Sequence, residues 1–157
     1  MPGPVLRTDY IDVYLWREVH DSLQLLQLCR ATDPLAGTWQ PVMGRVEAGE
    51  TAAQAAWREV REEVGLPPAS LMERLHLEEV HPYFVAAWDA VMLTPRFAAR
   101  VPAGWEPVLS SEHTAWRWVS DEAAFLWPGQ QAAIRELREL LRPAHAARRA
   151  ALRLAPG

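Results

Sequence analysis

The chain contains no lysine, and all 16 of its cationic side chains are arginine. Together with heavy alanine use this reflects overall composition more than function, although arginine is also the better bidentate partner for phosphate. Positive charge is not in excess, since the formal net charge is −4, which removes any general attraction to nucleic acid or to an anionic membrane. A small anionic substrate would then have to be met by local charge or by metal. No apolar run reaches the length of a membrane span, and the amino-terminal MPGPVLRTDY lacks an apolar signal core. Cysteine occurs once, at Cys29, so no intramolecular disulfide can form. A cytoplasmic protein is the expectation.

At 157 residues, half of them apolar and 23% charged, the chain is long enough for one domain with a real core and is not composed like a disordered segment. Residues 1–142 read as that domain, and residues 143–157, rich in Arg and Ala, as a tail that is helical or frayed, with a solvated, flexible terminus the better expectation. Two strands, Tyr10–Trp16 and Ser22–Cys29, are joined by a polar turn and form an antiparallel hairpin. Further strands are expected over Leu75–Val80, Tyr83–Leu93, Arg96–Val101 and Thr114–Trp118, with a loop from Val101 to Ser111. A short helix over Asp121–Leu126 and a longer one over Gln130–Leu141 complete the pattern. Mixed strands with one helix on either side imply an α/β class and an α/β/α layered sandwich around a mixed central sheet.

The most informative stretch is Gly44 to Leu66, GRVEAGETAAQAAWREVREEVGL. Thr51 with Gln54 three residues later is a capping box, and Gly65 and Pro67 stop the pattern, which predicts a helix over Thr51–Val64. At about 100° per residue Ala53, Ala56, Trp57, Val60 and Val64 form an apolar stripe, and Glu59, Glu62 and Glu63 cluster on another. Like charges at such spacing cost roughly 0.2 to 0.5 kcal/mol per pair. A divalent cation turns that repulsion into ligation, and oxygen ligands suit Mg²⁺ or Mn²⁺ and substrate phosphates. The plain alternative is a solvated acidic face on an ordinary helix.

The spacing decides against that alternative. Gly44, Glu50, Arg58, Glu59, Val60, Glu62, Glu63, Gly65 and Leu66 stand at every defined position of the Nudix box, and the chain resembles the Nudix hydrolase family. The resemblance implies a loop-helix-loop site in which Glu59, Glu62, Glu63 and the backbone carbonyl of Met43 hold Mg²⁺, or Mn²⁺ in its place, with Arg58 and Glu50 as an orienting pair. An arginine beside three acids can indeed hold a carboxylate through a bidentate fork.

Two segments resemble one branch of that family, the dihydroneopterin triphosphate and dATP pyrophosphohydrolases. The first is WQPVMG leading into GRVEAGET, which has Val42, Met43 and Gly44 where a Pro-Gly-Gly entry is commoner. The second is SSEHTAWRWVS, with a Glu-His pair ahead of an aromatic strand. In that branch the Glu is a further metal-binding or water-activating carboxylate, which makes Glu112 the candidate here, while His113 is left out of the catalytic set. Arg30, Trp39 and Gln40, on the approach to the box, are the candidate substrate contacts. Trp39, Trp88 and Trp105 are candidates to stack on a base or pterin ring.

The implied reaction is metal-dependent cleavage of a nucleoside or pterin triphosphate to the monophosphate and pyrophosphate. Pro82 and Tyr83 are weak markers of the alternatives, an ADP-ribose or a dinucleoside polyphosphate hydrolase. A non-catalytic nucleotide-sensing module is the rival of another class, but it has no need of every box acid. The expected partner is a small nucleotide or pterin polyphosphate, with no nucleic acid and no membrane, for a monomer or homodimer.

Overall fold

The computed structural model describes residues 2–156. A short β1 (Val5–Arg7) precedes the long β2 (Tyr10–Val19), which turns at His20 and Asp21, both at positive φ, into β3 (Ser22–Arg30). The expected hairpin is present, but its strands are paired only near the turn, Trp16–Val19 against Ser22–Leu25. Beyond that they splay. The gap is filled by β4 (Trp39–Gln40), which pairs with β3, and β5 (Val42–Arg45), which pairs with β2. Pro41 lies between the two, where a missing N–H suits a change of hydrogen-bonding partner.

The remaining elements are α1 (Ala52–Val64), β6 (Glu73–His76), β7 (Tyr83–Val85), β8 (Ala90–Met92), β9 (Arg96–Arg100), β10 (His113–Val119), α2 (Pro128–Leu140) and α3 (Ala146–Ala151). The main sheet has the order β10-β3-β2-β9-β6 and is mixed, because β2 and β9 run parallel. A smaller sheet has the order β1-β8-β7.

Alternation along the central strands divides the core between two faces. Val13, Leu15, Phe97 and Ala99 meet Ala56, Trp57, Val60 and Val64 of α1 on one face. Tyr14, Trp16 and Ala98 meet Ala133, Ile134, Leu137 and Leu140 of α2 on the other. This is the α/β/α sandwich expected from the pattern. Trp57 packs edge-on against Phe97 with ring centroids 5.7 Å apart, which anchors α1 to the sheet.

Several expectations need correction. The strand expected over Leu75–Val80 ends at His76, because the amides of Glu78 and Glu79 donate to the Glu136 carboxylate of α2 (2.8 and 3.1 Å) instead of to a neighbouring strand. Tyr83–Leu93 is not one strand but the β7–β8 hairpin, folded at a 3-10 turn over Ala86–Trp88 and at Asp89, which has a positive φ. Asp121–Leu126 holds a single 3-10 turn, Glu122–Ala124, with the Asp121 carboxylate accepting from the Ala123 amide.

The terminus expected to fray is instead docked. Leu152 is buried in the second core, the His76 amide donates to its carbonyl, and the Leu154 amide donates to Arg74. Residues 152–154 thereby cover the free edge of β6, a role sheets commonly assign to an added segment. Glu73 receives Arg149 (2.6 Å) and Arg153 (2.7 Å).

Candidate active site

Helix α1 begins as the capping box dictates. The Gln54 amide donates to Thr51 Oγ1 (3.1 Å) and the Thr51 amide donates to Gln54 Oε1 (2.8 Å). It ends at Gly65 with φ 76, a left-handed cap whose N–H donates to the Arg61 carbonyl. Ahead of it, Arg58 grips Glu50 with a two-point fork, Nε to Oε2 at 3.0 Å and Nη2 to Oε1 at 2.6 Å. Its Nη1 also reaches Glu59 (2.8 Å) and Glu62 (3.1 Å), and Nη2 donates to the carbonyl of Arg45. One guanidinium thus ties the loop, the end of β5 and two acids of the helix together. The hydrogen bonds from Arg58 and from the Glu47 amide hold the Glu50 carboxyl below its usual range.

The three acids do not share one solvated stripe. Glu62 is exposed, but Glu59 and Glu63 are 9% and 3% exposed. They are buried because α1 lies against β5, and a Cβ on Gly44 would collide with the Glu59 side chain. Burial pushes the Glu59 carboxyl up against the pull of Arg58. Glu63 is pushed up to about 10, by burial first and then by the neighbouring Glu112 carboxylate and Glu59, with the Met43 backbone pulling it down. Met43 therefore borders the acids.

The loop after β9 folds back over the carboxyl end of α1. The Val108 amide donates to the Val64 carbonyl (3.0 Å) and that of Ser110 to the Glu63 carbonyl (3.2 Å). The Glu112 carbonyl accepts from the Ala31 amide (2.9 Å), which fixes the turn to the end of β3. Glu112, some fifty residues from the box, is thus set beside Glu63. Potential ligand atoms of Glu63, Glu112 and His113 all lie within 4.8 Å of one another.

His113, expected to be structural because a lone histidine beside a strand more often is, is brought to the acids by a β-bulge. His113 faces Arg30 while Ala115 faces Cys29, so Thr114 is an extra residue opposite one step of β3. The bulge puts His113 on the same face as Trp116, toward α1, where simple alternation would put it with Ala115 and Arg117. His113 is 6% exposed, and burial holds its imidazole below the usual value, toward the neutral form, with Glu112 opposing. The Glu112-His113 pair was the one signal in the sequence, and it does not tell on which face the ring lies.

Of the candidate substrate contacts, Gln40 reaches the cluster, its amide nitrogen 3.2 Å from His113 Nε2. Arg30 is half-buried opposite His113, its Nε donating to the Thr32 carbonyl. Trp39 is brought elsewhere: its ring is on the other sheet face, beneath the Arg117 guanidinium at 4.1 Å. Trp88 stacks on Tyr10 at 5.5 Å and Trp105 packs against the first core. The Tyr83 hydroxyl is hydrogen-bonded to Thr94.

The donor set suits a hard divalent cation. Glu63 Oε2 is buried without a hydrogen-bond partner, an arrangement that costs desolvation unless a cation or proton answers it. Glu63 and Glu112 bring carboxylate oxygens together, Glu59 lies close by in the room that Gly44 leaves, and Glu62 is exposed and held by Arg58.

A mixed sheet between two helical layers, with a buried acid cluster at one helix, is the architecture of Nudix hydrolases. The NUDIX domain family matches residues 7–137, and the chain belongs to that family. Dihydroneopterin triphosphate diphosphatase of Escherichia coli is 57% identical over 44 residues, 28% of either chain. The solved E. coli dihydroneopterin triphosphate pyrophosphohydrolase aligns at 26% identity with a TM-score of 0.66, over 85% of this chain and 99% of that one. An Ap4A hydrolase of C. elegans aligns with a TM-score of 0.74 at 22% identity, over 86% and 98%, a likeness of fold. An octanoyltransferase of Myxococcus xanthus is 36% identical over 94 residues, 59% of this chain and 25% of that protein. The matched stretch is thus about a quarter of the length of these sequence relatives. No helix among the described residues is long and apolar enough to cross a membrane.

Proposed function

We propose that this chain is a metal-dependent pyrophosphohydrolase that converts a nucleoside or pterin triphosphate to the monophosphate and pyrophosphate. The observation that carries the reading is the burial of Glu63 beside Glu112 with an oxygen left unpartnered, an arrangement with no purpose on a merely solvated helix face. The partial identity to the E. coli dihydroneopterin triphosphate enzyme supports the triphosphate class.

Glu59, Glu62, Glu63 and Glu112, with the Met43 backbone, are the residues to hold Mg²⁺ or Mn²⁺. The ion, when bound, supplies charge neutralisation on the phosphate and a lowered pKa for water. Arg58 keeps Glu59 and Glu62 in place while Glu50 fixes Arg58. Glu112 stands on a loop tied to both α1 and β3, where its carboxylate can orient water toward phosphorus and take its proton. Gln40 and Arg30 lie at the same end of the sheet and are proposed to contact substrate.

The test is product analysis of dATP, dihydroneopterin triphosphate, Ap4A and ADP-ribose incubated with the chain and Mg²⁺. Pyrophosphate released from a triphosphate, abolished by chelation, is expected. Cleavage of Ap4A or ADP-ribose alone would move the assignment to another branch, and no metal-dependent cleavage of any of the four would reduce the chain to a binding module.

A further inference from the structure

We infer that His113 provides a nitrogen ligand to the divalent ion, so that the centre is a mixed nitrogen and oxygen site with a preference for Mn²⁺ or Co²⁺ over Mg²⁺. The inference rests on the metal-dependent reading above and adds a ligand from outside the box. Two buried atoms carry it. His113 Nδ1 and Glu63 Oε2 each lack a hydrogen-bond partner, in residues 6% and 3% exposed. Leaving either unanswered away from water is costly, and both belong to side chains whose ligand atoms gather, with one from Glu112, within 4.8 Å. A cation among them answers both at once, whereas a hydrogen bond from water to one leaves the other to find its own.

The surroundings of the ring fit ligation. A ligating imidazole commonly gives its other N–H to an acceptor, which fixes the tautomer and the ring plane. Here the other nitrogen, Nε2, meets the buried amide of Gln40 at 3.2 Å. A half-turn of that amide presents its oxygen to Nε2–H and leaves the unpartnered Nδ1 lone pair available to a cation. Gln40 is on β4 and His113 on β10, either side of β3, so the pair spans three strands and holds the ring rigidly. The bulge at Thr114 turns His113 to this face, and one residue fewer would have aimed it away.

The consequence is ion selectivity. Carboxylates alone suit Mg²⁺, while an imidazole nitrogen is held more strongly by the divalent ions of the first transition row, weakest at Mn²⁺ and rising through Co²⁺, than by Mg²⁺. Glu63 and Glu112 form the oxygen side of the cluster, and His113 distinguishes this centre from a purely carboxylate one.

Electron spin echo spectroscopy of Mn²⁺ bound to the full chain reads a directly coordinated nitrogen without reference to turnover. Wild type is expected to show nitrogen modulation that changes on isotopic labelling of histidine and disappears in His113→Gln with Mn²⁺ still bound. Titration should show the ratio of Mn²⁺ to Mg²⁺ affinity falling at least about tenfold in His113→Gln, and Gln40→Met weakening Mn²⁺ about 10- to 100-fold. Bound Mn²⁺ without nitrogen modulation in wild type, or modulation that persists in His113→Gln, overturns the ligand while leaving the metal-dependent reading intact. Failure of wild type to bind either ion overturns both. Should His113→Gln not fold, the labelled wild-type spectrum alone decides.

Discussion

A β-carbon at Gly44 would overlap the Glu59 side chain. Strand β5 and helix α1 come together at a glycine, and the space thus left is filled by a carboxylate instead of by an apolar group. Gly44→Ala is therefore expected to keep the strand pairing and displace Glu59, with kcat falling roughly a hundredfold, the penalty of a misplacement near 1 Å. Steady-state kinetics beside a melting curve check it. A folded variant with wild-type kcat would show the close approach to be incidental.

The Arg58–Glu50 fork yields a prediction about coupling. Arg58→Lys and Glu50→Gln each break the same two-point contact, so the double variant should lose hardly more kcat than the worse single one. The interaction energy in such a cycle should fall at about 0.5 to 3 kcal/mol. Strict additivity would mean that the two residues act independently.

Loss of charge among the acids should tell in turnover. Glu62→Gln and Glu63→Gln are expected to lower kcat at least about a hundredfold with the fold kept. Glu112→Gln should lower kcat by about the same factor and barely change KM, since the role proposed for its carboxylate is on water rather than on substrate binding. An unchanged kcat for Glu112→Gln would remove that residue from the site.

Acid should release the carboxyl-terminal segment. Burial pushes the Glu73 carboxyl up, but the hydrogen bonds from Arg149 and Arg153 outweigh it and leave the group below its ordinary 4.5. A depressed carboxylate contributes stability that is present above that ordinary value and is lost as pH falls through the lower folded one. Amide exchange or proteolysis at residues 146–154 should accelerate in that acid window, and Arg149→Ala should show the accelerated rate already at neutral pH. A rate independent of pH in both proteins would remove the clamp from the account.

Much of this was legible because it depends on local chemistry. The capping box, the Gly65 stop and the two core faces follow from residue type and period, and the box spacing marked α1 as the helix with the chemistry. What was hidden depends on pairing at a distance. That Glu59 is buried follows from the approach of Gly44, and that Glu63 is buried follows from its neighbours Met43 and Glu112; periodicity along α1 contains no information about either. Alternation sets Trp116 and Trp118 together on the first core, but Thr114 is the extra residue of the bulge in β10, which reverses the side on which His113 lies. Trp39 was chosen for its position beside the box, and the same alternation that brings Gln40 to the acids carries Trp39 to the opposite face.

The docked terminus also sets an order of events during synthesis. Strand β6 is made halfway along the chain, yet its outer edge is closed by residues 152–154, and the core beneath it by Leu152. At about 5 to 20 residues per second, the interval between emergence of His76 and of Leu152 lasts seconds, long against the collapse of a small domain. Throughout that interval the layer under α1 can assemble, since all its buried members lie before residue 102. The layer under α2 cannot, and a nascent chain carries an open strand edge until residues 152–154 are free.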